Sequence, residues 1–211
     1  MVDKKILFDV IDRFSTVKAL VIGDVMLDIY EYCLTSESKP LFSEKPNKRA
    51  YKSQKAIKTL GGAGNVAANL SSLDVNTSLA GITGNDENFF KLRELCDSNN
   101  IKHFMIRDSS RPTTTKTRLY IDDEYLLRRD DECIEKINKE TTAVITKEIL
   151  REIPETKVVI LSDYNKGLFT NQVSQEIIRE CRMHSIPVIV DFKPTNASLF
   201  NGADVLCPNE H

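Results

Sequence analysis

Short apolar runs bounded by Gly, Asp, Asn or Pro alternate along this chain with longer stretches in which apolar residues recur at helical spacing. Ile6, Leu7, Val10, Ile11 and Phe14 share one helical face, so a short amphipathic helix is expected before the first strand, predicted over 18–22. The pattern then predicts helices over 64–72, 87–99, 141–153 and 171–184. Strands are predicted over 77–81, 102–106, 157–161, 187–190 and 204–206. Val158-Val159-Ile160-Leu161 and Val188-Ile189-Val190 are continuously apolar, which a parallel strand covered by helices on both faces requires. The expected fold class is therefore α/β, a doubly wound and mostly parallel sheet with right-handed crossovers.

Two stretches break this rhythm. Residues 30–59 are polar, rich in Lys, Ser and Pro, and lack a strong helical period. Residues 113–129 alternate in the manner of a β-hairpin around Asp122-Asp123. Both are assigned to a small projecting β-sheet, a lid inserted within one domain that spans 1–211. No repeat, low-complexity tract or Pro/Gly linker marks a second domain.

Composition narrows the partners. With 211 residues, 41% hydrophobic and 28% charged, the chain is long enough for a full core. A formal net charge of -2 supplies no global field for nucleic acid or an anionic membrane, so neither is expected as a partner and phosphate recognition must be local. The five cysteines are widely spaced and odd in number, without a C-x-x-C pair, which favours reduced thiols and a cytoplasmic protein over a disulfide frame or zinc site. The first residues mix Asp, Lys and Arg with apolar positions, unlike a signal peptide, and no segment is apolar for long enough to span a bilayer.

The candidate chemistry sits at strand ends and glycine turns. Asp24 and Asp28 straddle the expected exit of the first strand, where a carboxylate can accept hydrogen bonds from neighbouring hydroxyls. One of them could instead cap a turn. Gly61-Gly62-Ala63-Gly64-Asn65 opens the next helix; glycines there let a ligand approach backbone N–H groups, and Asn65 both donates and accepts. This loop is neither a P-loop nor a dinucleotide fingerprint, so an NAD(P) enzyme is poorly supported. Lys116 and Arg118 fall on one face of the hairpin, with Arg128 on the returning strand, and could hold an anionic substituent or simply protect a sheet edge. Asp163 with Lys166, and Asp191 with Lys193, follow successive strands, where open α/β sheets bind ligands. Asn209 follows a further strand end. His103, His184 and His211 have no evident acid-base partner, and no residue is assigned to a metal.

Taken in order, Gly23 to Asp28, the Gly61 to Ala67 loop, Gly81-Ile82-Thr83-Gly84, Thr115-Lys116-Thr117-Arg118, Leu126-Leu127-Arg128, Ser162 to Gly167, and Asp191 with Lys193 resemble the ribokinase-like (PfkB) carbohydrate kinases. Within that family the likeness is greatest to kinases of a heptose phosphate in ADP-heptose synthesis. The resemblance implies ATP and Mg²⁺ as cofactors, and a β lid that can join a homodimer. It also implies that Asp28, Gly61, Gly62 and Asn65 bind the sugar. Lys116, Arg118 and Arg128 would approach a phosphate already on it, while Asp163, Lys166, Asp191, Lys193 and Asn209 would border nucleotide and metal. Ser43-Glu44-Lys45-Pro46 matches the family only loosely. Its Gly-Ala-Gly-Asp segment, which carries the general base and an anion hole, has no counterpart here, and an N-x-x-E element beginning at Asn209 would need its Glu one residue past His211. The expectation is thus an amino-terminal portion of a sugar kinase, inactive by itself, against the alternative of a non-catalytic sugar- or sugar-phosphate-binding module.

Overall fold

The computed structural model describes residues 4–40 and 47–207. Its strands are β1 (Lys18–Gly23), β2 (Val25–Cys33), β3 (Lys39–Pro40), β4 (Arg49–Ala50), β5 (Ser53–Gly62), β6 (Asn76–Thr83), β7 (Lys102–Arg107), β8 (Thr115–Ile121), β9 (Glu124–Asp131), β10 (Val158–Ser162), β11 (Val188–Asp191) and β12 (Val205–Leu206). Its helices are α1 (Lys4–Ile11), α2 (Ala63–Ser72), α3 (Glu87–Ser98), α4 (Lys139–Glu152) and α5 (Asn171–Met183). Six strands form one sheet in the order β12-β11-β10-β1-β6-β7, and every neighbouring pair is parallel.

Successive side chains of a strand point to opposite faces, and β1 uses both. Leu20 and Ile22 join a core with Ile145, Ile149, Val173 and Ile177 of α4 and α5. Val21 joins a second core with Ala63, Ala67, Leu92 and Cys96 of α2 and α3. That is why β1 reads as an unbroken apolar run. Local chemistry starts the helices: Asp86 accepts the backbone N–H groups of Asn88 and Phe89, Asn138 that of Thr141, and Thr170 that of Val173. Asp86 also accepts the Thr113 N–H at 2.8 Å, tying α3 to the start of the hairpin segment.

The second sheet, in the order β5-β2-β8-β9, is antiparallel except for the parallel β2–β8 pair. It begins earlier than the sequence suggests. Asp24 is the one residue between β1 and β2, so Asp28 lies within the small sheet, not at the tip of β1. Gly61 and Gly62 likewise end β5, and α2 starts at Ala63. Mixed polar and apolar residues hid β2 and β5: β2 is buried at Val25–Leu27 and again at Cys33, and β5 is mostly exposed. Between β11 and β12, Pro194–Phe200 forms a 3-10 helix. Among the described residues no helix is long and apolar enough to cross a membrane.

Candidate active site

Where β1 meets the small sheet, the chain must turn sharply, and Asp24 holds that turn. Its Oδ2 accepts the N–H groups of Tyr164 at 2.7 Å and Lys166 at 3.1 Å. Its carbonyl accepts the Ala63 N–H at 3.0 Å. Burial pushes its carboxyl up to about 6, although the two N–H groups and Lys166 oppose the rise. Asp24 is thus committed to joining loops, and it is Asp28, within β2, that lines a cavity.

Two glycines shape the backbone behind that carboxylate. A Cβ on Gly61 would lie 2.7 Å from Asp28 Oδ2. Gly62 has φ +55°, and a Cβ there would strike the Asp24 carbonyl oxygen. The chain can therefore leave β5 and enter α2 directly behind Asp28, placing Asn65 in the first turn of that helix.

The result is a cavity of about 450 Å³ lined by Met26, Asp28, Gly62, Asn65, Lys116, Arg118, Arg128, Asp130, Glu132, Tyr164, Lys166 and Lys193. Cross-strand register explains its charged wall. Asp28 is opposite Lys116, which is opposite Asp130; one step along the same face, Tyr30 is opposite Arg118, which is opposite Arg128. Two directly opposed arginines repel. Acids in the neighbouring row offset this, with Arg118 Nη1 at 2.9 Å from Asp28 Oδ1 and Arg128 Nε at 2.8 Å from Asp130 Oδ1. Arg118 also lies over the Tyr30 ring at 5.1 Å.

Lys116 bridges Asp130 at 2.9 Å and Glu132 at 3.5 Å, and Lys166 meets Glu132 at 2.8 Å. Burial alone would raise the Glu132 carboxyl, but Lys166 and Lys116 outweigh it and hold it below the usual range. For Asp130 burial is likewise overcome, by Lys116 and Arg128. Glu132 Oε2 is buried without a hydrogen bond. An arriving anion would find cations already gathered and could take them over from carboxylates.

Asp28, Gly62, Asn65, Lys116, Arg118 and Arg128 therefore meet as the sequence suggests, with Gly61 immediately behind Asp28. Lys166 and Lys193, expected to border the nucleotide, line this same cavity. Asp163 does not: this buried carboxylate accepts Asn165 N–H and Asn196 Nδ2, each at 2.8 Å. Asp191 ends β11, where its carbonyl accepts the Asp163 N–H at 2.8 Å. Asn209 lies outside the described residues, as do Ser43 to Pro46. Sequence reading missed Met26, Asp130, Glu132 and Tyr164 as cavity residues. Asp130 was detectable, since it stands two positions after Arg128 and so on the same strand face.

Residues 17–211 match the family described as pfkB family carbohydrate kinase. The chain is 35% identical over 197 residues to the bifunctional protein HldE of Sulfurimonas denitrificans and 38% identical over 197 residues to that of Blochmanniella pennsylvanica. These alignments take in 92% and 93% of the chain, which spans 40% of the length of either relative. Among solved structures, a possible 1-phosphofructokinase from Thermotoga maritima superposes with a TM-score of 0.67 at 15% identity, covering 91% of this chain and 60% of that one. Ribokinase from Giardia lamblia gives 0.62 at 15% identity, covering 92% and 58%. These likenesses carry the fold, a ribokinase-like α/β domain, while the sequence match carries the family. The chain belongs to the pfkB family of carbohydrate kinases.

Proposed function

We propose that the cavity under the small sheet binds a sugar phosphate, a heptose phosphate, as the acceptor for the γ-phosphate of ATP. One observation carries this reading: hydroxyl-binding groups and phosphate-binding groups line one wall-to-wall space. Asp28 and Asn65 offer acceptors and a donor suited to vicinal hydroxyls, beside the first turn of α2. Arg118 and Arg128, opposed in register, with Lys116 one row away, suit a dianionic substituent. The specific sugar rests on the sequence resemblance and the HldE relatives.

Holding the acceptor rigidly supplies the positioning on which phosphoryl transfer chiefly depends. On this reading Lys166, which lines the cavity with Lys116, serves the acceptor's own phosphate, whereas Lys193, after β11, faces the transferred phosphoryl group, with Asp191 beside the nucleotide. Family membership implies Mg²⁺ alongside ATP. The described residues offer it no ready cage: no group of three His, Cys, Asp or Glu side chains converges among them, and both Asp163 oxygens are engaged. No step is therefore assigned to a metal held by this chain. Proton removal from the acceptor is likewise assigned to none of the 211 residues, which contain no Gly-Ala-Gly-Asp.

Tyr125, Leu126 and Leu127 expose apolar surface on β9, which supports a homodimer joined through the small sheet acting as a lid. The dispersed cysteines, of which Cys33, Cys96 and Cys181 are buried and free, support a cytoplasmic location.

Calorimetry on the 211-residue chain tests the reading, using a heptose phosphate and the same heptose without phosphate. Saturable binding is expected for the phosphate ester, weakened at least tenfold by Asp28→Asn. Absence of binding to any sugar phosphate, or binding indifferent to Asp28, rejects it.

A further inference from the structure

Arg111 lies outside the cavity and has no place in the chemistry described above, yet its side chain is only 7% exposed and its donors go to two loops of the site. Nη1 donates to the carbonyl of Lys166 at 2.9 Å, and Nη2 donates to the carbonyl of Glu135 at 2.8 Å. Nε stands 3.5 Å from Asp108 Oδ2, close enough for an ion pair but without a hydrogen bond. Asp108 is itself fixed by the Ser110 N–H and hydroxyl at 2.9 and 2.6 Å and by the Thr141 hydroxyl at 3.4 Å.

The two carbonyls belong to the segments that present the Lys166–Glu132 pair. Those segments are packed back to back: Ile137 N–H donates to the Gly167 carbonyl at 3.1 Å, and a Cβ on Gly167 would strike the Glu135 carbonyl. Lys166 is thus gripped from both sides, its N–H by Asp24 and its carbonyl by Arg111. A planar guanidinium can hold two carbonyls at a fixed spacing; an ammonium cannot.

We infer that Arg111 is a positioning residue that sets Lys166 and Glu132 at the distance the acceptor's anionic group requires. The ligand half of this inference rests on the sugar-phosphate reading; the structural half does not. Arg111→Lys keeps a cation beside Asp108 while losing the double bridge. Its affinity for the heptose phosphate should fall about tenfold or more, as expected for losing buried hydrogen bonds from a charged donor. Affinity for the unphosphorylated heptose should change less than about twofold, a split that general loosening of the fold would not give.

A second readout needs no ligand. Carbon-13 NMR of the Glu132 carboxyl follows a group faced by Lys166 from its turn, Lys116 from β8 and Asp130 from β9. In Arg111→Lys its titration midpoint should rise toward that of an exposed glutamate. An unchanged midpoint in a folded variant overturns the inference, as does equal loss of both sugars. If the wild type binds neither sugar, the functional reading fails while the Glu132 titration still judges Arg111. Should Arg111→Lys not fold, couplings across hydrogen bonds from the Arg111 guanidinium to the Lys166 and Glu135 carbonyls decide the matter in the wild type, and their absence refutes it.

Discussion

Replacing Asp24 with Asn should remove a pH-dependent cost that the structure allows to be sized. Asp24 is 5% exposed, and its carboxyl's folded value of about 6 compares with a usual 3.8. A difference of about two units corresponds to about 3 kcal/mol, since each unit is worth 1.36 kcal/mol. The sign follows from proton uptake. Between the two values the folded state binds more protons than the unfolded one, so this group's contribution is fully present below about 3.8 and is lost as pH rises through about 6. An Asn carboxamide oxygen in the position of Oδ2 can still accept the Tyr164 and Lys166 N–H groups but has no charge to bury. Urea unfolding of both proteins between pH 4 and 8 isolates the effect, because other titrations cancel in the difference. Asp24→Asn should gain on the wild type by up to about 3 kcal/mol across that range, most of it before pH 7. A difference that stays flat within about 0.5 kcal/mol, the usual size of a surface substitution, would refute the assignment of Asp24 as a desolvated clasp.

Three further outcomes are expected. Gly61→Ala should cost sugar affinity about tenfold with little loss of stability, because the new Cβ would displace the Asp28 carboxylate from 2.7 Å; calorimetry with a thermal melt reads both. Arg128→Ala removes a side chain that is 48% exposed, so the fold should persist while the preference for a phosphorylated over an unphosphorylated sugar shrinks about tenfold. Asp86→Ala takes the acceptor from Asn88, Phe89 and Thr113 together and should destabilise by about 2–3 kcal/mol in urea, more than loss of an isolated cap.

The main sheet was legible because burial on both faces leaves a plain mark. Residues 158–161 and 188–190 are apolar regardless of parity, and the helices between them show one apolar stripe each. The small sheet was legible only in part. β8 and β9 alternate and turn at Asp122-Asp123, both with positive φ, whereas β5 lies mostly exposed and its Lys-rich sequence resembles a loop. Most of the acceptor side of the cavity could be named in advance because each residue sits at a strand end, a glycine turn or an alternating face. Glu132 could not, since it matters through Lys116 and Lys166, contacts made across strands and loops. The choice between ligand contact and turn support at Asp24 and Asp163 was open in the sequence for a related reason. A carboxylate after a strand reads alike whether it faces a ligand or, as here, the backbone N–H groups of a neighbouring turn.

Mapping amide and side-chain shifts by ¹H–¹⁵N NMR during titration with a heptose phosphate tests the central claim most directly. Gly61, Gly62, the Asn65 carboxamide and the guanidinium groups of Arg118 and Arg128 should move together along one saturation curve. Shifts gathered instead in the separate groove between α4 and α5, around Thr146 and Gln172, would contradict it.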